Sequence, residues 1–464
     1  MPIRKLRAPM RYTGDKEGPF ADEGPLRVLI DLPADLRQVE AGRWEGPTAP
    51  VPDHVLWGLC RSKDVEVYWL AGPDESGVGA VHLQEPDPAH DQWPYTFTKA
   101  DGRLCMGAIS FHRQLLHFAG NDPARPVETL AKAALSQGLR AHITVTNDPK
   151  LLHLTGPYTR YCNLMNTADA LAAVGLYLRR DDPTLVATAA NISITFGTHM
   201  LAWSAVRSQL PSGWTWGSAL VDHSATVDDD YAILLFGSFY ERLVRMLNHR
   251  DSIHRATLQQ PNNKTGLEAT EALDTMLFNI VGAFDAAAIA AHMGAGCPPE
   301  DRKKAGWQWK DWRKDLEVPH LYEMFHKKKP AEDLLTVCRR LRNTVHGAGL
   351  SSMVSATATG NDTLVRLPHA EAADIVERLN RLAPADSWGV EARIRNSVYI
   401  DPARLAEGLI PHVFATLEEV LAHTPLDHLA GTGPHREDPP TDDGFDLNTR
   451  SRACLLYGLK PPAA

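Results

Sequence analysis

Cysteine is scarce and scattered. Six occur in 464 residues, at positions 60, 105, 162, 297, 338 and 454, with no pair at the C-x-x-C spacing that zinc or thiol redox chemistry uses. A disulfide framework and a zinc ribbon are therefore not expected, and the thiols fit a reducing compartment. Also missing is an uninterrupted apolar run of about 20 residues, the length that spans a bilayer. Met1-Pro2-Ile3-Arg4-Lys5 begins with charge and is not followed by the apolar core of a secretory signal. The expectation is a cytoplasmic protein without a membrane partner. Positive charge is not in excess either: 48 Lys and Arg face 57 Asp and Glu, a formal net charge of -9. A chain that coats DNA or an anionic membrane would be basic, so any nucleic-acid contact has to come from a local patch. Internal repeats are absent.

What is present is ordinary material for more than one hydrophobic core, 44% apolar and 23% charged. The reading is α+β: a mixed α/β half followed by a mostly helical half. Residues 1–25 form a Gly/Pro-rich leader, 26–182 the α/β domain, 183–227 a linking helix and loop, 228–430 the helical domain, and 431–464 a Pro/Asp-rich tail with a last docking segment at Cys454-Leu455-Leu456-Tyr457.

In the first half, Leu26-Arg27-Val28-Leu29-Ile30-Asp31 reads as a buried strand delivering Asp31 to its carboxyl edge. Strand-like runs at 65–70, 80–83 and 105–109 follow between Pro/Gly/Asp turns. Residues 127–135 read as a helix stopped at Gly138, 141–146 as a strand, and Asn147-Asp148-Pro149 as a turn. A helix feeding a short apolar strand is the unit of an α/β layer, whose ligands bind beyond the carboxyl ends of the strands. Thr167 is expected to cap a helix over 170–180, and a further helix is expected over about 183–209.

A strand ending in Asp, an acidic residue opening a later Ala-rich helix, and a strand followed by Thr-Asn-Asp together resemble the PIN nuclease family. The resemblance implies that Asp31, Glu128 and Asp148 hold a magnesium or manganese ion, hard cations that take oxygen ligands and activate water for phosphodiester hydrolysis. Without that resemblance, Asp31 and Asp148 are turn residues after strands and Glu128 is a helix-start charge.

In the second half, Asp228-Asp229-Asp230 precedes a helix from Tyr231, and residues 265–293 carry apolar side chains on a helical period. Residues 301–346 hold twelve Lys or Arg against seven Asp or Glu. Within them, Trp307, Trp309, Lys310, Trp312, Arg313 and Lys327-Lys328-Lys329 interleave rings with cations, a pattern that stacks bases and neutralises phosphates, or else anchors a loop to the helices. Residues 351–360 are small and polar and read as a flexible loop, and helices are expected over 369–382 and 402–423.

The densest chemistry is Cys338-Arg339-Arg340-Leu341-Arg342-Asn343-Thr344-Val345-His346-Gly347. At about 100° per residue, Arg339 and His346 fall roughly 20° apart around a helix, Arg342 and His346 roughly 40° apart, with Asn343 beside them. Gly347 and Gly349 would then stop the helix. A helical domain with a long apolar helix before an Arg-Asn…His element resembles the HEPN superfamily, whose active members are metal-independent endoribonucleases marked by Arg, four to six residues, then His. Arg342-Asn343 has the right neighbour but three residues before His346; Arg340 and Arg339 meet the spacing with five and six. The resemblance implies catalysis by His346 with Arg342 or Arg339 and Asn343, no cofactor at that site, and a homodimer; nucleic-acid contact is expected through Arg340 and the basic-aromatic stretch. Ribonuclease activity in a bacterial stress or antiphage defence setting, with a protein regulator, is the resulting expectation. The alternatives are a non-enzymatic RNA-binding or interaction protein, and a metal-dependent nuclease using Asp31, Glu128 and Asp148.

Overall fold

The structure is a computed structural model. It describes the chain apart from residues 1–24, 33–51, 61, 63, 86–91, 100, 111–126, 153–162, 182–184, 190–191, 260, 344–348, 358–359, 395–396, 432–446 and 462–464. The architecture is α+β, with the main sheet in the first half and helices dominating the second.

The N-terminal sheet is built from β1 (Leu26–Asp31), β2 (Val65–Leu70), β3 (Ala80–Leu83), β4 (Gln92–Thr98), β5 (Leu104–Ser110), β6 (Ile143–Thr146) and β7 (Leu164–Met165), in the order β5-β4-β3-β2-β1-β6-β7. β3, β2, β1, β6 and β7 are parallel, and β4 and β5 add an antiparallel hairpin at one edge. Alternation along β1 decides what covers each face. Val28 and Ile30 face a core shared with α1 (Pro52–Cys60) and α4 (Thr167–Leu178), whereas Leu29 faces α2 (Val127–Gly138) through Ala131 and Leu135. Burial on both faces is why β1 reads as one apolar run. The one-turn α3 (Pro149–Leu152) follows β6, and the cap of α4 is Asn166, which accepts the Asp169 N–H. Thr167, expected as the cap, is the first helical residue, and its hydroxyl donates instead to Asp53 at the start of α1.

The helix expected over 183–209 is not continuous. β8 (Leu185–Ala189) and β9 (Ile192–Phe196) form an antiparallel hairpin, and only Thr198–Gln209 is helical (α5). The β-branched Val186, Thr188, Ile192, Ile194 and Thr195 favour the extended chain. Nor is the rest of the link a loop, since Gly213–Val227 forms α6.

The second half centres on two long helices packed along each other, α7 (Tyr231–Leu258) and α8 (Asn263–Gly294). α7 runs through Gly237-Ser238 without a break. α8 starts at a capping box: Asn262 accepts the Thr265 N–H, and the Thr265 hydroxyl takes the Asn262 N–H. It has the length and hydropathy of a membrane-crossing helix, but most of its apolar residues are buried in the core shared with neighbouring helices. Around the pair lie α9 (Lys310–Asp315), α10 (Pro319–Met324), α11 (Pro330–Asn343), α12 (Ala372–Leu382), α13 (Pro402–His423) and α14 (Leu447–Leu456). The loop expected over 351–360 is replaced by β10 (Ser351–Thr357), which pairs with β11 (Gly360–Arg366). β13 (Ser397–Ile400) and β12 (Val390–Ile394) complete a four-stranded sheet in this half.

A buried ionic cluster ties the two halves together. Arg179, just past α4, donates to Asp251 of α7 at 2.6 and 3.1 Å; Arg250 donates to Asp251 at 3.0 Å, and His254 bonds Glu407 of α13 at 2.6 Å. Arg179 and Arg250 also donate to the carbonyls of Leu456 and Tyr457, and both guanidiniums lie over the Tyr457 ring. Burial alone would raise the Asp251 carboxyl, but the Arg179 and Arg250 guanidiniums outweigh it and hold it well below the usual range.

Candidate functional site

α11 is amphipathic for a simple reason: Leu334, Leu335, Cys338 and Leu341 recur at helical spacing and are buried, which leaves the cations to its flanks. Glu332 and Asp333 stand in its first turn and Arg340 and Arg342 in its last, both favourable to the helix dipole. Its arginines then divide. Arg340 turns to α12 and pairs with Asp374 at 2.7 Å, a carboxylate that Arg378 also holds, so it joins a packing network between helices. Arg339 and Arg342 turn to α8, where Arg339 Nη2 lies 3.9 Å from Asp285 Oδ1.

Asp285 gathers a third cation from α7. The guanidiniums of Arg339, Arg342 and Arg242 all act on its carboxyl, which burial nonetheless keeps above the usual range. Arg339 pairs with Asp285 where that side chain is 43% exposed, and the Arg342 and Arg242 charges act on the same carboxyl. Burial lowers the Arg339 guanidinium, opposed by Asp285 and reinforced by Arg342. Arg342 Nε is buried and bonds to nothing among the described residues, an unspent donor. Gly282 makes the arrangement possible, because a Cβ there would stand 2.2 Å from Arg242 Nη1. Asn343, exposed, is the last residue of α11, and His346 lies outside the described residues, as does the glycine stop at Gly347. The cluster suits an oxyanion: guanidiniums stay charged and meet phosphate oxygens two at a time.

The basic-aromatic stretch does not act as one surface. Trp307 is buried, stacked on Phe325 at 4.7 Å, and donates to the Phe284 carbonyl at 2.8 Å. Trp312 is buried and donates to His292 Nδ1, while His292 Nε2 donates to the Pro298 carbonyl; Arg313 is buried and donates to the Tyr322 carbonyl. These three side chains hold the core and have no face to offer a base or phosphate. Lys310, Lys327, Lys328 and Lys329 are exposed. Trp309, 57% exposed, borders a pocket of about 510 Å³ whose lining carries Asp301, Asp311 and Asp315 against Lys303 and Lys304. That balance of charge does not mark a phosphate site.

Of the three carboxylate residues of the first half, Asp31 is linked through the Thr146 hydroxyl to the Asp148 backbone. β1 and β6 are parallel neighbours, with Asp31 beside Thr146 in register. They flank the point where the strand order reverses, the crevice in which open α/β sheets bind ligands. The Thr146 hydroxyl donates to Asp31 at 2.9 Å and accepts the Asp148 N–H at 3.1 Å, and Asp148 accepts the Lys150 N–H at 2.8 Å. Lys132 on α2 faces both Asp31 oxygens, at 3.0 and 3.1 Å. Glu128 stands one turn before Lys132 on α2, and its side chain lies outside the described residues. A divalent ion approaching Asp31 has to displace the Lys132 ammonium, and among the described residues no three His, Cys, Asp or Glu side chains cluster as metal ligands.

Sequence reasoning missed Lys132, Arg242 and Asp285. Asp285 carried a signal: it is the lone charge between Asp274 and His292, and a charge inside an apolar helical run needs a partner. No family model, no curated protein and no solved structure matches the chain.

Proposed function

We propose that this protein acts on RNA, holding a backbone phosphate on Arg242, Arg339 and Arg342 and cleaving the chain there without a metal ion. The observation that supports this reading most is that Arg339 lies 3.9 Å from the Asp285 carboxylate while the charges of Arg342 and Arg242 also act on it. His346, three residues past the end of α11, is the acid-base group of the proposal. It takes the proton of a ribose 2′-hydroxyl as that oxygen attacks phosphorus and returns it to the departing 5′-oxygen as the P–O5′ bond breaks, leaving a 2′,3′-cyclic phosphate and a 5′-hydroxyl, while the arginines stabilise the charge that builds on the phosphate oxygens. A homodimer, a protein regulator and a stress or defence role belong to the same proposal.

A second reading is favoured by one observation: the Thr146 hydroxyl links Asp31 to the Asp148 backbone at the crevice of the sheet. There, Asp31, Glu128 and Asp148 would hold magnesium or manganese for metal-dependent cleavage, with Lys132 displaced. A labelled single-stranded RNA separates the readings. Cleavage that persists in EDTA and disappears in His346→Ala supports the first. Cleavage that needs magnesium and is lost in Asp148→Asn supports the second. Binding without cleavage under either condition leaves a non-catalytic RNA-binding protein.

A further inference from the structure

We infer that Phe278 is a base-stacking platform beside the arginine cluster, so that the ligand of this site is single-stranded RNA presenting an unpaired base; the inference rests on the phosphate-binding reading above. Phe278, Gly282 and Asp285 stand at i, i+4 and i+7 on α8, along one face of the helix. Phe278 is 50% exposed, while its neighbours Leu277, Ile280 and Val281 are fully buried. A Phe ring held half in solvent on a helix with so apolar a core is unspent contact area. The Arg242 side chain crosses α8 at Gly282, with its guanidinium 5.5 Å from the Phe278 ring centroid while also acting on the Asp285 carboxyl. Arg242 thus links the ring to the Asp285 site.

At about 1.5 Å rise per residue the ring lies roughly 10 Å along the helix from Asp285, about three nucleotides of a stacked strand at about 3.4 Å each. The pairing of an aromatic face with guanidiniums is what sequence-tolerant single-strand binding uses: stacking takes any base and the arginines take the backbone. A duplex keeps its bases inside the helix and cannot use the ring. Substituting Gly282 would push Arg242 off this surface, since its Nη1 occupies the space of a side chain there.

The test compares a single-stranded RNA with an abasic strand of the same length and charge by fluorescence anisotropy, on the full chain, with Phe278→Ala and Phe278→Trp. The expected result is that the base-bearing strand binds about tenfold more tightly than the abasic one. Phe278→Ala removes that difference, and Phe278→Trp retains it. Equal affinity for both strands, with no effect of Phe278→Ala, overturns the stacking role and leaves phosphate binding standing. No binding of either strand removes the phosphate reading, and this inference with it. A change in sedimentation of Phe278→Ala with unchanged strand affinity also overturns it and assigns the ring to a protein contact.

Discussion

Asp274 on α8 illustrates how a single residue sets a measurable property. One of its carboxylate oxygens is buried without a hydrogen bond, and burial pushes its pKa up to about 6. The folded protein therefore holds a proton that the unfolded chain, at about 3.9, releases earlier. Stability falls as pH rises from about 4 to about 6 and stays at the lower level above. Asp274→Asn removes the ionisation and is expected to stabilise the protein by about 1 kcal/mol at pH 8, a figure reduced for the partial exposure of the group. The gain should vanish near pH 4, as urea unfolding at the two pH values would show; an equal effect at both would mean that the ionisation does not matter. Cys60 and Cys338, by contrast, are pushed up to about 12 by burial and are inert thiols, in keeping with the scattered cysteine pattern.

At the scale of elements, α14 matters more than its short length suggests. Its last residue, Leu456, and the next, Tyr457, supply the carbonyls and the ring that receive Arg179 and Arg250, two buried cations from different halves of the chain. Deleting residues 447–464 leaves those guanidiniums short of acceptors, where each unsatisfied buried group costs about 1–3 kcal/mol or more. Calorimetry of the truncated chain should show a lowered first transition separated from the second; a single transition at the original temperature would contradict the role of α14 as the tie. The docking segment itself was legible as an apolar run after a Pro/Asp-rich tail. Other elements were not. β8 and β9 fall inside the helix expected over 183–209, at a run of β-branched residues that favours the extended chain. β10 is written in Ser, Ala and Thr, which read as a loop until pairing with β11 satisfies its backbone. The edge carrying Asp31 and Asp148 was readable because two short β-branched runs each ended at a turn. That Lys132 faces Asp31 was not, because 101 residues separate them.

At the scale of the whole molecule, an acidic chain concentrates its cations in two ways. Arg179, Arg250, Arg378 and Arg381 are spent on the buried or partly buried carboxylates Asp251 and Asp333, which hold helices to one another. Arg242, Arg339 and Arg342 all act on the half-exposed Asp285 carboxylate, the site proposed to take an anion. The Arg-to-His sequence element pointed to two of these three; the third comes from α7, nearly a hundred residues earlier, and only the packing of α7 on α8 brings it in. The most direct test of RNA binding at this cluster is the salt dependence of affinity for a single-stranded RNA, compared between the native chain and the Arg339→Ala/Arg342→Ala double variant. Each phosphate contact on a single strand contributes about 0.7 to the slope of log affinity against log salt. The double variant should bind more weakly, with the slope reduced by about 1.4; an unchanged affinity and slope would contradict the assignment of the phosphate site to the end of α11.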